Sequence, residues 1–104
     1  MIDGDTLVLA SGAHVRLWGL DAPELGEPGG AAARAELARF TADRDVTCQR
    51  RGGSHERIVA QCWADGVDLA AAMVASGAAW GCPRFTPSYG PGRKDGPGYC
   101  LTRR

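Results

Sequence analysis

Apolar positions fall along the chain in short runs whose spacing alternates between two and three-to-four residues. Thr6-Leu7-Val8-Leu9 is a strand-type run, and Ser11-Gly12 is a turn signal. His14-Val15-Arg16-Leu17-Trp18 then alternates polar with apolar, as a half-buried strand does. The two runs predict a hairpin. Gly19 to Gly30 is rich in Pro, Gly and acid and reads as a loop. From Ala31 to Ala42, Ala33, Leu37 and Phe40 share one stripe, which predicts a helix packed on a sheet. Val46-Thr47-Cys48 and the run Arg57 to Trp63 are the next two strands, joined through Arg51-Gly52-Gly53-Ser54-His55. Asp65-Gly66 makes a tight turn. Asp68 is a suitable N-cap for a helix over Leu69 to Ser76, with Gly77 as its stop.

After Cys82 the pattern ends. Pro83, Pro87, Gly90, Pro91, Gly92, Gly96, Pro97 and Gly98 exclude regular structure, so residues 82–104 read as a tail or long loop. The order strands, helix, strands, short helix predicts a mainly β (α+β) fold, a closed or partly open barrel over residues 1–81 with the tail packed on it.

Composition narrows the possibilities. A chain of 104 residues is one small domain. Twelve Lys and Arg balance twelve Asp and Glu, which argues against a globally basic protein that slides on DNA. An anionic substrate still fits if cations converge on one site. All but one of the cations are Arg, whose planar fork grips phosphate. No run approaches the roughly 20 apolar residues of a membrane span. Met1-Ile2-Asp3 carries no leader pattern, so a leader is expected to be absent or already removed.

Four cysteines, Cys48, Cys62, Cys82 and Cys100, permit three pairings. No C-x-x-C pair is present, which disfavours zinc. Pairing the two strands around His55 puts Cys48 opposite Cys62, within disulfide reach at about 4.5 Å between Cα atoms. Cys82–Cys100 would then pin the tail. Two disulfides imply a secreted or periplasmic protein, and reduced cysteines a cytoplasmic one.

Two acidic clusters carry the chemistry. Asp3-Gly4-Asp5-Thr6 places two carboxylates around a Gly just before a strand. Asp21-Ala22-Pro23-Glu24 places two more in a loop just after a strand that bears Arg16. Converging acids repel unless a cation neutralises them, and hard cations prefer such oxygen donors. Arg57 opens a strand after a flexible loop, a platform for contacting an anion.

With Val15-Arg16-Leu17-Trp18-Gly19-Leu20-Asp21-Ala22-Pro23-Glu24, Arg57-Ile58-Val59-Ala60 and Ala64-Asp65-Gly66 through Gly77, these segments resemble the micrococcal-type thermonuclease (staphylococcal nuclease-like) family from Asp3 to about Gly77. The resemblance implies an OB-type five-stranded barrel and Ca²⁺-dependent hydrolysis of phosphodiesters in DNA and RNA. It implies Asp5 and Asp21 as side-chain metal ligands, the Ala22 carbonyl as a third, and Asp3 behind them. Glu24 would activate the attacking water, and Arg16 and Arg57 would clamp the phosphate. Most of the family's first strand has no counterpart before Asp3, and Gly53-Ser54-His55-Glu56-Arg57 departs from the family's D-x-Y-G-R type sequence. These departures keep open an alternative, a nuclease-like barrel that binds nucleic acid or protein without cutting.

His55, Arg84 and Tyr89 are further candidates for substrate contact. Trp18 and Trp63 are expected in the core, whereas Trp80, Phe85, Tyr89 and Tyr99 are better placed to stack on bases. A monomer is expected.

Overall fold

The computed structural model describes residues 3–53 and 58–82. His55, Arg57, Arg84, Tyr89 and Cys100 lie outside them, as do residues 83–104 of the segment expected to form the tail. The hairpin forms as expected: β1 (Thr6–Val8) pairs antiparallel with β2 (His14–Leu17), with Thr6 opposite Arg16. A two-residue strand β3 (Leu20–Asp21) follows, then helix α1 (Gly30–Thr41), β4 (Val46–Gly53) and β5 (Ile58–Ala64). Next come β6 (Val67–Asp68), helix α2 (Leu69–Ala75) and β7 (Trp80–Gly81).

The main sheet has the order β1-β2-β5-β4, with β6 also on β5. β2 runs parallel to β5, with Val15 opposite Ile58 and Leu17 opposite Ala60. β3 and β7 form a separate two-stranded sheet. Over the described residues the fold is thus α+β, mostly strand, with two helices and open sheets. Among the described residues no ladder joins β1 to β4.

Cys48 and Cys62 face each other across the antiparallel β4–β5 pair and form a disulfide with a Cα–Cα distance of 4.1 Å. Cys82 is buried and is also disulfide-bonded. β4 is longer than its sequence suggests. Gly52 and Gly53 extend the strand past a bulge: Arg50 pairs with Ala60 and Gly52 with Val59, leaving Arg51 as the extra residue.

The core lies between one face of the main sheet and the helices. Leu7, Val15, Leu17, Ala60, Cys62 and Ala64 come from the strands, Ala33 and Leu37 from α1, and Leu69, Ala70 and Met73 from α2. Fully burying a Leu or Met side chain contributes about 1.5–3 kcal/mol each, so Leu17, Leu20 of β3, Leu37, Leu69 and Met73 dominate. The Asp68 carboxylate accepts the Ala71 amide at 3.2 Å and caps α2 as expected. Trp18 and Trp63 do not enter the core. Alternation along each strand turns Leu17 and Cys62 inward, and their Trp neighbours stay half-buried on the opposite face.

Candidate functional site

The site is built where the β1–β2 hairpin meets the loop after β3. Asp5 immediately precedes β1, and its backbone carbonyl accepts the Leu17 amide at 2.8 Å, an extension of the hairpin ladder. With Thr6 opposite Arg16, the Asp5 and Arg16 side chains meet: Arg16 Nη2 lies 3.0 Å from Asp5 Oδ2. Both are buried, with side chains 10% and 3% exposed. The Thr6 hydroxyl donates to Asp5 Oδ1 at 3.1 Å. The Ala22 amide donates to Asp5 Oδ2 at 3.3 Å, which ties the first acidic motif to the second.

Asp21 is buried on β3, where its backbone pairs with Trp80 of β7. That short pairing holds Asp21 beside Ala22 and fixes the second motif. Asp3 is half-buried and bridges to Thr6. Glu24 is exposed, two residues past Ala22. Its amide donates to the Glu27 side chain at 2.8 Å, and its carbonyl accepts the Glu27 amide at 2.9 Å. The loop is therefore wound into a turn that leads into α1. The structure brings together Asp5, Arg16 and the Asp21–Ala22 backbone, with Glu24 on the adjoining turn. Arg57, His55, Arg84 and Tyr89 lie outside the described residues.

Burial pushes the Asp5 carboxyl above its ordinary value, and nearby Asp3 adds to this. The Arg16 guanidinium, the Ala22 amide and the Thr6 hydroxyl pull the other way without cancelling it. Desolvation of a carboxylate favours its neutral form unless more positive charge arrives. A divalent cation beside Asp5 would supply that charge, and the donors at hand are hard oxygens of the type Ca²⁺ takes. The donor chemistry fits such an ion. Among the described residues no group of three or more His, Cys, Asp or Glu is disposed to hold a metal, so carbonyls and water would complete the shell.

A family model described as Staphylococcal nuclease homologue matches residues 14–93. The chain belongs to the staphylococcal nuclease homologue family. The match begins at the first residue of β2 and covers Arg16, Asp21, Glu24 and Arg57, while Asp3 and Asp5 precede it. Among curated proteins no relative matches the chain.

In this nuclease-family chain two glycines, Gly4 and Gly30, shape the site by close approach. A Cβ on Gly4 would lie 2.6 Å from Ala33 Cβ and 3.2 Å from Ala22 Cβ, so α1 presses directly on the first acidic motif. A Cβ on Gly30 would lie 1.9 Å from the Glu24 carbonyl oxygen, so the first residue of α1 seats the Glu24 turn. Gly flanked by acids, or Gly opening a helix, is the signal each left in the sequence, but either reads equally as a turn.

Proposed function

We propose that the chain is a calcium-dependent nuclease that hydrolyses phosphodiester bonds in DNA and RNA, on a sheet that belongs to an OB-type barrel. The observation that supports this most is the buried Asp5–Arg16 pair at 3.0 Å, joined through Asp5 to the Ala22 amide inside a nuclease-family chain. Asp5, Asp21 and the Ala22 carbonyl would hold the ion, with Asp3 behind them. When bound, calcium would offset charge on the phosphoryl oxygens. Glu24 takes the proton of the attacking water, a task suited to an exposed carboxylate on a turn fixed by backbone contacts. Arg16 and Arg57 donate N–H groups to the phosphate oxygens and stabilise the charge of the five-coordinate transition state. Arg57 contacts the leaving oxygen without giving up a proton, because guanidinium holds its protons tightly. His55, Arg84 and Tyr89 are assigned to binding the flanking chain. The Cys48–Cys62 disulfide fits an oxidising compartment, and we assign the protein to secretion or the periplasm as a monomer. No helix among the described residues is long and apolar enough to cross a membrane.

One observation favours a second reading, a barrel that binds nucleic acid without cutting. Asp5 Oδ2 is already engaged by Arg16 and the Ala22 amide. The two readings separate on one experiment. Denatured DNA is incubated with the protein and Ca²⁺, with and without chelator, beside the Glu24→Gln variant. The nuclease reading expects digestion that stops with chelator and falls by at least about 100-fold in the variant, the scale of losing a positioned base. Equal, negligible digestion by both proteins rejects it and leaves the binding module.

A further inference from the structure

The outer face of the main sheet carries a side-chain assembly that the catalytic reading does not use. Trp18 extends β2, its amide donating to the Ala60 carbonyl at 2.8 Å, and its ring is half-buried. The Arg51 guanidinium lies over that ring, with its carbon 5.0 Å from the ring centroid. Arg51 Nη2 donates to Gln61 Oε1 at 2.5 Å, and Gln61 Nε2 donates to Asp68 Oδ2 at 2.9 Å. Asp68 is fixed in turn as the cap of α2. Three elements thus hold one guanidinium plane on an exposed surface.

The backbone is arranged to the same end. Arg51 is the extra residue of the β4 bulge, set between Arg50 opposite Ala60 and Gly52 opposite Val59. Bulges bend a strand and re-aim a side chain at the expense of a regular ladder. Here the re-aimed side chain reaches past β5 to the Trp at the end of β2. Along β2, Arg16 and Trp18 are two residues apart and share a face, a separation of about 6.6 Å. That is a span comparable with one nucleotide of extended chain. Arg16 leads to the buried pair with Asp5, and Trp18 leads to Arg51.

We propose that Trp18 and Arg51 form a stacking platform for a base of unpaired nucleic acid, one nucleotide from the phosphate that is cut. Bases stack on indole rings and on guanidinium planes, and the cation matches the charge of the chain. In a duplex both faces of each base are already covered, so the platform selects single strands. The position relative to the cut rests on the nuclease reading; the platform itself rests on the Trp18–Arg51 geometry.

The test separates the two. The full chain is titrated, in chelator, into a labelled short single-stranded DNA and into the same strand with abasic residues, which keeps every phosphate. Wild type is expected to bind the base-bearing strand about tenfold more tightly, within the range of one base–aromatic contact. Arg51→Ala and Trp18→Leu are expected to bring the two strands within about twofold of each other. Arg51→Lys keeps the charge and the fold but loses the plane, and is expected to lose the preference as well, while Trp18→Tyr retains part of it. A wild type that binds both strands alike, or binds neither, overturns the proposal. So does an Arg51→Lys that keeps the full preference, because charge alone would then suffice. Calcium-dependent hydrolysis by wild type, followed separately, reports on the nuclease reading: binding preference without hydrolysis upholds the platform and rejects the nuclease, and hydrolysis without preference does the reverse.

Discussion

Gly30→Ala tests whether the seating of the Glu24 turn matters for chemistry. The added Cβ would lie 1.9 Å from the Glu24 carbonyl oxygen, 2.6 Å from its carbon and 3.0 Å from Leu25 Cα. All three neighbours are backbone, so no flexible side chain can swing aside. Relief to the shortest tolerable contact of 3.0 Å needs a retreat of about 1 Å by the turn. Overpacking of this type costs about 1–3 kcal/mol. Alanine in place of glycine in a helix returns up to about 1 kcal/mol. The net loss of stability is therefore expected below about 2 kcal/mol, and the protein stays folded. Catalysis is more sensitive, since misplacing a reacting group by 1 Å lowers rates by roughly 100-fold. Initial rates on denatured DNA with Ca²⁺ are compared with urea denaturation midpoints of the same samples. Gly52→Ala is the control, because a Cβ there meets nothing within 4 Å. A folded Gly30→Ala protein that digests DNA within about threefold of wild type would refute the reasoning, since the shift worked out above predicts a far larger loss.

Two further predictions concern stability. Arg16→Met leaves Asp5 buried without its ion-pair partner and is expected to cost about 3–5 kcal/mol at neutral pH. Asp5 already holds its proton more tightly folded than unfolded, so its burial penalty is complete above the raised folded value and lifts as pH falls through it. Urea denaturation in chelator should therefore show a smaller loss at pH 5 than at pH 7, and an equal loss at both would contradict the burial argument. Cys48→Ala opens a disulfide between residues 14 apart while Cys62 stays packed in the core, and is expected to cost about 3 kcal/mol by loop entropy; a measured loss below about 1 kcal/mol would show that the unfolded chain gains little freedom.

Much of the fold was legible because its signals are local. The alternation at His14–Trp18, the Ala33–Leu37–Phe40 stripe and the Asp68 cap each report on a neighbour within one turn or one strand. Cys48 opposite Cys62 was legible because a hairpin register follows from symmetry about its loop. β3 and β7 were not, since two residues are too few to show a period and their pairing joins Leu20 to Gly81. The extent of β4 was missed for a related reason: it is exposed over nearly its whole length, so no hydrophobic alternation marks it, and Gly52-Gly53 imitates a loop. At the site, residue types and order pointed to Asp5, Arg16 and Asp21, but not to the direct Asp5–Arg16 contact or the Ala22 amide bond. Those depend on how the loop after β3 folds back on the hairpin. Trp18 was expected inside because its size favours burial, and it is outside because its strand position overrides its size.

The contact of Gly4 with Ala33 and Ala22 makes positions 4, 22 and 33 a shared volume. Bulk added at one of the three has to be surrendered at another, or the helix lifts off the hairpin. Libraries that vary these positions one at a time will therefore recover mostly damaged proteins, and designs that exchange small and large residues among them together will find the tolerated combinations.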